Sequence, residues 1–316
     1  MKVGIIGAGA VGASTAFAMV MRGVAREIVL VDINRERAQA EADDILHAVP
    51  FAHPARVYAG GYDRLRDAKV VIITAGAAQK EGESRLELLE RNAAIFRQLV
   101  PNIFEHCQDA IILIATNPVD VLTHLTAAIA DDYGIHRSRV ISTGTTLDTA
   151  RFRALLGGHL GIDPPHVHGY VLGEHGDSEV FPWSLVTVGG VPLDVFCDQW
   201  EICTDKEVRE DIEDRVRSAA YSIIAGKGNT SFGIGSALTR IVEVILRDQR
   251  ALLTVCTPVP EVAGITNVTI SLPHLIGGRG VMDTILLPLS LNNDEEKKLK
   301  ISAQVVKEAY NRIAKK

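Results

Sequence analysis

The 316-residue sequence predicts an α/β protein in which a doubly wound parallel sheet is followed by a mixed α/β region. Three observations lead to this prediction. Short, continuous aliphatic runs alternate with helical stretches as far as residue 142, a glycine-rich turn joins the first run to the first helix, and beyond residue 142 the runs alternate with Gly and Pro turns. Continuous aliphatic runs are typical of parallel strands that helices cover on both faces. We therefore expect two domains, at residues 1–142 and 143–316.

The first half of the chain contains repeated strand–helix–strand units. Its predicted strands are residues 3–6, 28–31, 70–73, 111–114 and 140–141, and its predicted helices are residues 11–21, 35–47, 86–107 and 119–131. In the third helix, Leu89, Ala93, Phe96 and Val100 recur at helical spacing and mark one apolar face. Because such units connect neighbouring parallel strands, they predict the doubly wound sheet.

The second half combines helices with strand-like runs. A helix is predicted at residues 148–160, and strand-like runs at residues 166–172 and 184–195. The run from Thr204 to Glu207 has the pattern of a capping box, so it predicts a long amphipathic helix that ends near Gly226. Asn293 and Asp294 can cap a last helix that closes the chain. This mixture predicts an α/β region of different architecture from the first.

Composition and charge exclude several classes of function. With 47% hydrophobic and 23% charged residues, the chain resembles an ordinary globular protein. The 39 acidic and 33 basic residues give a net charge of −6, and no basic block is longer than the terminal lysine pair, so nucleic acid is not expected as a partner. The four cysteines, at positions 107, 197, 203 and 256, form no C-x-x-C pair. They favour a reducing, cytoplasmic location over a disulfide framework.

One uncharged stretch, residues 3–21, has the hydrophobic character of a signal peptide or a membrane helix. Its glycines favour another interpretation. Gly4, Gly7, Gly9 and Gly12 fall within one short segment, and each glycine would destabilise a helix by about 1 kcal/mol relative to alanine. We therefore expect a globular strand and turn here, and no association with a membrane.

The same stretch contains a dinucleotide-binding motif. Gly7, Gly9 and Gly12 form the pattern G-x-G-x-x-G, with Val11 inside it, directly after a predicted strand and at the start of a helix. The glycines allow a tight turn, a close approach of a pyrophosphate and close packing of the helix. Asp32 follows the next strand, 20 residues beyond Gly12, where a carboxylate binds both ribose hydroxyls and repels a 2′-phosphate. These features predict a Rossmann domain that binds NAD; the alternative is a tight turn with a surface aspartate.

Other catalytic motifs are missing from the sequence. It contains no P-loop for a nucleoside triphosphate and no G-x-S-x-G motif of a serine hydrolase. His166 and His168 could share one face of a strand, but neither an H-E-x-x-H motif nor a cysteine partner accompanies them. We therefore expect no metal ion.

A nicotinamide cofactor transfers a hydride, so a second group must transfer a proton to or from oxygen. His175 is the candidate, because histidine titrates near neutral pH and the glycines on either side of Glu174–His175 leave room for a ligand. A structural loop histidine is the alternative. Asp148 and Arg151 lie three residues apart on one helix face, where the simplest interpretation is a surface ion pair.

Four segments with these and other polar side chains complete the pattern. They are residues 79–85, 117–120, 147–151 and 173–178. With the glycine-rich motif they resemble the lactate/malate dehydrogenase family, and in particular its bacterial, lactate-specific members, over essentially the whole chain. The resemblance implies a cytoplasmic homotetramer that interconverts pyruvate and L-lactate with NAD, in the last step of fermentative glycolysis. A malate or other 2-hydroxy acid dehydrogenase and a non-catalytic NAD-binding protein are the alternatives.

The resemblance also implies roles for the catalytic residues. His175 would be the proton donor and acceptor, and Asp148 would hold its imidazole and favour the protonated form. Arg151 would bind the substrate carboxylate with two hydrogen bonds. Arg85, at the end of a polar loop that closes over the substrate, would polarise the carbonyl group. Asn117 would contact both cofactor and substrate.

Substrate choice and regulation depend on four further positions. Malate enzymes of the family carry arginine at the position of Gln79, so the neutral amide here implies pyruvate; the adjacent Lys80 leaves open which of the two points inward. Thr230 matches the residue that lines the same end of the pocket in lactate enzymes. Arg153 and His168 match positions that bind fructose 1,6-bisphosphate between subunits in bacterial relatives, which makes activation by this sugar a hypothesis.

Overall fold

The structure is a computed structural model, and it describes residues 1–77, 84–202, 204–284 and 291–314. The first half is a parallel sheet with helices on both faces. Its elements are β1 (Lys2–Ile6), α1 (Ala10–Met21), β2 (Glu27–Val31), α2 (Arg35–Ala48), β3 (Arg56–Ala59), β4 (Ala68–Ile73), α3 (Arg85–His106), β5 (Ile111–Ile114), α4 (Val119–Asp132) and β6 (Val140–Ser142). The strand order β6-β5-β4-β1-β2-β3 confirms the doubly wound sheet. The edge strand β3 was not predicted.

Side chains of alternate strand residues enter two separate hydrophobic cores. In β2, Val29 and Val31 pack with α3 and α4, whereas Ile28 and Leu30 pack with α1 and α2. All four are buried, because each face of the sheet is covered by helices. This packing explains why the strands are continuous apolar runs in the sequence.

The second half adds strands to the same sheet and forms two smaller ones. Its elements are α5 (Thr146–Leu160), β7 (Val167–His168), β8 (Thr187–Val188), β9 (Val191–Pro192), α6 (Leu193–Trp200), α7 (Lys206–Lys227), α8 (Phe232–Leu246), β10 (Ala251–Leu253), β11 (Cys256–Val262), β12 (Ile265–Ser271), β13 (His274–Gly277), β14 (Gly280–Thr284) and α9 (Asn293–Ala314). The antiparallel pair β11–β12 joins β6 through Cys256 and Ser142, which makes the sheet eight-stranded. The predicted mixed α/β region is confirmed.

Several local expectations in the second half were wrong. Only short strands form in the strand-like runs, and α6 replaces the end of the second run at Leu193. Asp205, rather than Thr204, caps α7 by accepting a hydrogen bond from the backbone N–H of Val208, at 3.0 Å. Asn292 caps the last helix instead of its two neighbours, because its side-chain oxygen accepts from the backbone N–H groups of residues 294 and 295. The cap of α7 lies one residue after the predicted one, and the cap of α9 lies one residue before the first of the two predicted ones.

The carboxyl ends of the parallel strands and one incoming loop meet at a single edge of the sheet. The loop carrying His175 is closed by a bridge between Leu172 and Val180, and Gly173 pairs with Ser271 at the end of β12. Ser271 and Ser142 both pair with Cys256. The pairing of Gly173 with Ser271 therefore brings the loop to the carboxyl end of β6. Ligands of open α/β sheets bind at this edge.

Among the described residues, no helix combines the length and apolar character needed to cross a membrane.

Candidate active site

The glycine-rich turn between β1 and α1 has the shape that a pyrophosphate requires. Gly7 has a φ of +104°, which only glycine adopts readily. A Cβ atom on Gly12 would lie 1.9 Å from the carbonyl oxygen of Gly7, so a side chain there would push the helix away from the turn. A Cβ on Gly9 would meet no atom within 4 Å. The backbone of Gly9 thus borders open space at the positive end of α1, and Val11 is half-buried in the first turn of that helix.

Asp32 directly follows β2 and ties this turn to the next strand. One carboxylate oxygen accepts a hydrogen bond from the backbone N–H of Ala8 at 2.7 Å, and the other accepts from that of Asn34 at 2.8 Å. Each carboxylate oxygen can accept a second hydrogen bond, so both retain capacity for ribose hydroxyls. The turn and the carboxylate therefore fit the diphosphate and ribose of NAD.

The structure brings His175, Asp148 and Arg151 together. Nδ1 of His175 lies 2.6 Å from one carboxylate oxygen of Asp148, and the Arg151 guanidinium donates to the other oxygen at 2.9 Å. The Asp148 side chain is only 3% exposed, whereas that of His175 is 26% exposed. The pair on α5 is thus not a surface ion pair. It is a buried anion between two cationic side chains that are both partly exposed.

Electrostatics favour the charged form of this cluster. The negative charge of Asp148 raises the pKa of His175 to about 9, against the opposing effect of burial. Burial alone would raise the pKa of Asp148, but the charges of His175 and Arg151 hold it below its usual value. At neutral pH the site therefore holds an imidazolium that can donate a proton.

Buried polar groups fix the loop that carries this histidine. Asp120, on α4, accepts a hydrogen bond from the backbone N–H of His175 at 2.9 Å, and burial raises the pKa of Asp120 to about 6. Ser302, on α9, accepts from the backbone N–H of Glu174 at 2.8 Å. Gly173 has a φ of +92°, and a Cβ there would lie 2.5 Å from the Ser302 hydroxyl. Gly173 therefore serves packing against α9, and the expectation that it leaves room for a ligand was wrong.

Asn117 lies at the carboxyl end of β5 and is exposed. Its carbonyl oxygen accepts a hydrogen bond from the side chain of Asn92 at 2.8 Å, and the Asn92 side-chain oxygen accepts from the backbone N–H of Ala77 at 2.7 Å. The buried Asn92 thus connects two strand ends. Arg85 is the first residue of α3, after the helix cap Ser84. Residues 78–83, which include Gln79 and Lys80, lie outside the described residues.

Thr230 lies in the turn between α7 and α8, next to the other site elements. The side chain of Ser14, on α1, donates to the backbone oxygen of Ser231 at 3.1 Å. A Cβ on Gly233 would lie 3.1 Å from Leu147, the neighbour of Asp148. The turn with Thr230 is thus held between the helix that follows the glycine motif and the helix that carries the buried ion pair.

The two residues considered for sugar bisphosphate binding lie at a separate place. His168 is exposed on β7. Arg153 donates to the backbone oxygen of Gly169 at 3.0 Å, and its guanidinium lies 5.7 Å from the centre of the Tyr170 ring. Part of the hydrogen-bonding capacity of Arg153 is therefore used within the chain.

Sequence reasoning assigned no role to Asn92, Asp120, Glu179 or Ser302. All four are buried polar side chains close to the site. The sequence gives little indication of them, because a polar residue can be recognised as buried on a helix only once the inner face of that helix is known. Asn92, for example, occupies a position next to the apolar stripe of α3 and is 1% exposed.

Comparisons with known proteins agree with this geometry. The sequence matches the NAD-binding domain of lactate/malate dehydrogenases over residues 1–142 and their alpha/beta C-terminal domain over residues 145–316. It is 58% identical to an L-lactate dehydrogenase of Geotalea daltonii over 99% of both chains. It is 51% identical to an L-lactate dehydrogenase of Thermus aquaticus, again over 99% of both chains.

A solved structure gives the same result for the fold. The structure of a minor L-lactate dehydrogenase from Enterococcus mundtii superimposes with a TM-score of 0.94 at 40% sequence identity, covering 99% of this chain and 98% of that one. The chain belongs to the lactate/malate dehydrogenase family. The two relatives from Geotalea daltonii and Thermus aquaticus are both named L-lactate dehydrogenase.

Proposed function

We propose that this chain is an NAD-dependent L-lactate dehydrogenase, an oxidoreductase that interconverts pyruvate and L-lactate. The observation that carries the proposal is the buried cluster in which Asp148 bridges His175 and Arg151, at 2.6 and 2.9 Å. A proton donor and a carboxylate-binding cation are thus held side by side. Both are needed to reduce a 2-oxo acid, and the full-length similarity to L-lactate dehydrogenases supports the same activity.

NAD is the cofactor, and in its reduced form it supplies the hydride for the carbonyl carbon. The turn at Gly7, Gly9 and Gly12 would hold its pyrophosphate, and Asp32 its ribose. Asp148 uses Nδ1 of His175, which leaves Nε2 to give a proton to the carbonyl oxygen. In the reverse direction the neutral imidazole takes the proton from the lactate hydroxyl.

Substrate binding would depend on two arginines and an asparagine. Arg151 keeps further N–H donors beyond the one given to Asp148, so it can bind the substrate carboxylate. Arg85 would stabilise the negative charge that develops on the carbonyl oxygen when the preceding loop closes. Asn117, exposed at the end of β5, would contact cofactor and substrate.

Selectivity for pyruvate would rest on Gln79 and Thr230, at the methyl end of the substrate. The test follows NADH absorbance with pyruvate and with oxaloacetate at matched concentrations, in the wild type and in Gln79→Arg. We expect the wild type to prefer pyruvate strongly. The new cation should shift the preference towards oxaloacetate by at least about tenfold, because it pairs with the second carboxylate.

Other outcomes of this experiment would change the proposal in distinct ways. A wild-type preference for oxaloacetate would keep the proton chemistry and make the chain a malate dehydrogenase. An unchanged preference in Gln79→Arg would contradict the assigned pocket position. Absence of turnover with either substrate would favour a different 2-oxo acid or an NAD-binding protein without catalysis.

We also propose the biological setting implied by the family. The enzyme would act as a cytoplasmic homotetramer in the last step of fermentative glycolysis, with its domains divided at residues 142 and 143. Arg153 and His168 would bind fructose 1,6-bisphosphate and activate the enzyme. If so, the sugar should lower the pyruvate concentration needed for half-maximal rate at neutral and mildly acidic pH. A saturation curve that the sugar leaves unmoved at both pH values would contradict activation.

A further inference from the structure

Glu179 is a buried carboxyl group on the loop that carries His175. It lies just before the bridge between Leu172 and Val180 that closes the loop, and it is 5% exposed. Its Oε1 atom is buried and makes no hydrogen bond to any residue that the structure describes. A buried carboxylate without a hydrogen-bond donor is costly, whereas a protonated carboxyl group is tolerated. Glu179 has no part in the chemistry described above.

Charged groups from three directions face Glu179. Asp148 and Arg151 face it from α5, His175 from its own loop, and Arg217 from α7. Arg217 also donates to the backbone oxygen of Glu179, at 3.4 Å.

The charge of Arg217 is already compensated on α7, since its guanidinium pairs with two acidic residues there, Glu213 at 2.9 Å and Asp214 at 3.7 Å. These two acidic residues offset part of the positive charge that Arg217 brings towards Glu179.

The net charge at the site depends on whether Glu179 is ionised. Burial, together with the charge of Asp148, raises the pKa of Glu179 to about 8, so the carboxyl group is mostly protonated at neutral pH. Asp148 and Asp120, both negative at neutral pH, then balance the positive charges of His175 and Arg151. Ionisation of Glu179 would give these groups a net negative charge.

We propose that Glu179, in its uncharged form, is a substrate-positioning residue that keeps a further negative charge away from Arg151 and His175 and thereby preserves the affinity of the site for a substrate carboxylate. This inference rests on the proposed function, because it concerns the binding of pyruvate and L-lactate at the same site. Glu179 acts through the field at Arg151 and His175, where the substrate carboxylate and carbonyl oxygen would lie. When Glu179 ionises, its negative charge opposes the binding of an anion there.

The test compares Glu179→Gln with the wild type over pH 6.5 to 9.5. Glutamine keeps the shape of the neutral acid and cannot ionise. At pH 7 we expect KM for pyruvate to agree within about twofold. At pH 9 only about one tenth of Glu179 would be protonated in the wild type, so KM of the variant should be about three- to tenfold lower. The KM for L-lactate should change in the same direction.

Two further variants make the result specific. Glu179→Met, which is apolar and of similar length, should show the same lower KM at pH 9, where the remaining rise comes from loss of the His175 proton. It provides a second test where the glutamine variant folds poorly. Glu295→Gln is the matched control, because Glu295 is also a buried carboxylate but binds Ser184, at 2.5 Å. Its KM profile should follow that of the wild type. The KM for NADH should be unaffected in all three.

Two results would overturn the inference. In the first, KM of both Glu179 variants rises with pH as in the wild type. In the second, the variants lose pyruvate binding at lower pH than the wild type, which would mean that ionised Glu179 supports the site by retaining the proton of His175. Either result leaves the proposed function intact if the wild type still reduces pyruvate. Absence of wild-type turnover would instead contradict the proposed function.

Discussion

The nucleotide-binding turn and the proton-transfer cluster lie at one edge of the same sheet but are built in different ways. The turn consists of backbone from a few consecutive residues, and it works because Gly7, Gly9 and Gly12 have no side chains. The cluster consists of side chains from α4, α5, α9 and a loop, and it works because buried charges balance. The first can be inferred from local sequence, whereas the second exists only after the chain has folded.

This difference has a physical cause. Backbone geometry around a glycine is decided by neighbours in sequence, as the positive φ of Gly7 and the contact of Gly12 with Gly7 illustrate. A pKa shift depends on burial and on charges from distant segments. The pKa of His175 reaches about 9 because Asp148 lies 2.6 Å from its ring.

The largest expected effect is on the cluster. Replacing His175 by alanine removes the proposed proton donor, so kcat for pyruvate reduction should fall by about 10³- to 10⁴-fold. The affinity for NADH should change by less than about threefold, because the nucleotide is held by the other region. Stopped-flow rates and NADH fluorescence titration check both statements.

His166→Ala is the matched control, since this histidine is exposed and lies directly before β7. It should keep kcat within about twofold of the wild type. A loss of less than about tenfold in His175→Ala would mean that another group transfers the proton. Loss of NADH affinity in the same variant would show that the two regions are not independent.

Alanine substitutions at two glycines of the nucleotide-binding turn should have smaller effects, which differ between the two positions. Gly9→Ala places a methyl group in open space, so the unliganded protein should keep its Tm while NADH affinity falls about tenfold or more. Gly12→Ala places it 1.9 Å from the Gly7 oxygen, so it should lower the free energy of unfolding by about 1–3 kcal/mol as well. Thermal denaturation without cofactor and NADH titration distinguish the two.

The opposite results would contradict the roles assigned to Gly9 and Gly12. If Gly9→Ala lowers Tm but binds NADH normally, the space at Gly9 is not where the cofactor lies. If Gly12→Ala leaves Tm unchanged, the helix can move away from the turn at no cost.

The sequence predicted the nucleotide-binding region almost completely. The strands β1, β2, β4, β5 and β6 and the helices between them lie within about two residues of their predicted bounds. The edge strand β3 was missed, because its residues Arg56 to Ala59 are partly exposed and too short to form a distinct apolar run. Strands β11 and β12 were not predicted to join this sheet, since pairing between distant segments leaves no local pattern.

The proton-transfer cluster was predicted only in part. His175, Asp148 and Arg151 were identified through a motif and a family resemblance. The resemblance implied that Asp148 holds the imidazole, and the distance of 2.6 Å fits that expectation. The hydrogen bond between Arg151 and Asp148 was expected only as a surface ion pair, and it is buried. The support from Asp120 and Ser302 could not be predicted, because each reaches the histidine loop from a helix far away in sequence.

We propose that Asp148 keeps His175 protonated for pyruvate reduction. The most direct test is the pH dependence of kcat/KM for pyruvate in the wild type and in Asp148→Asn. A folded-state pKa raised to about 9 means that the proton is present at neutral pH and is lost as the pH rises through 9. We therefore predict that kcat/KM of the wild type declines near pH 9. Ionisation of Glu179 can move this decline to a somewhat lower pH. In Asp148→Asn the decline should lie about one to three pH units below that of the wild type. Profiles that coincide would contradict the claim.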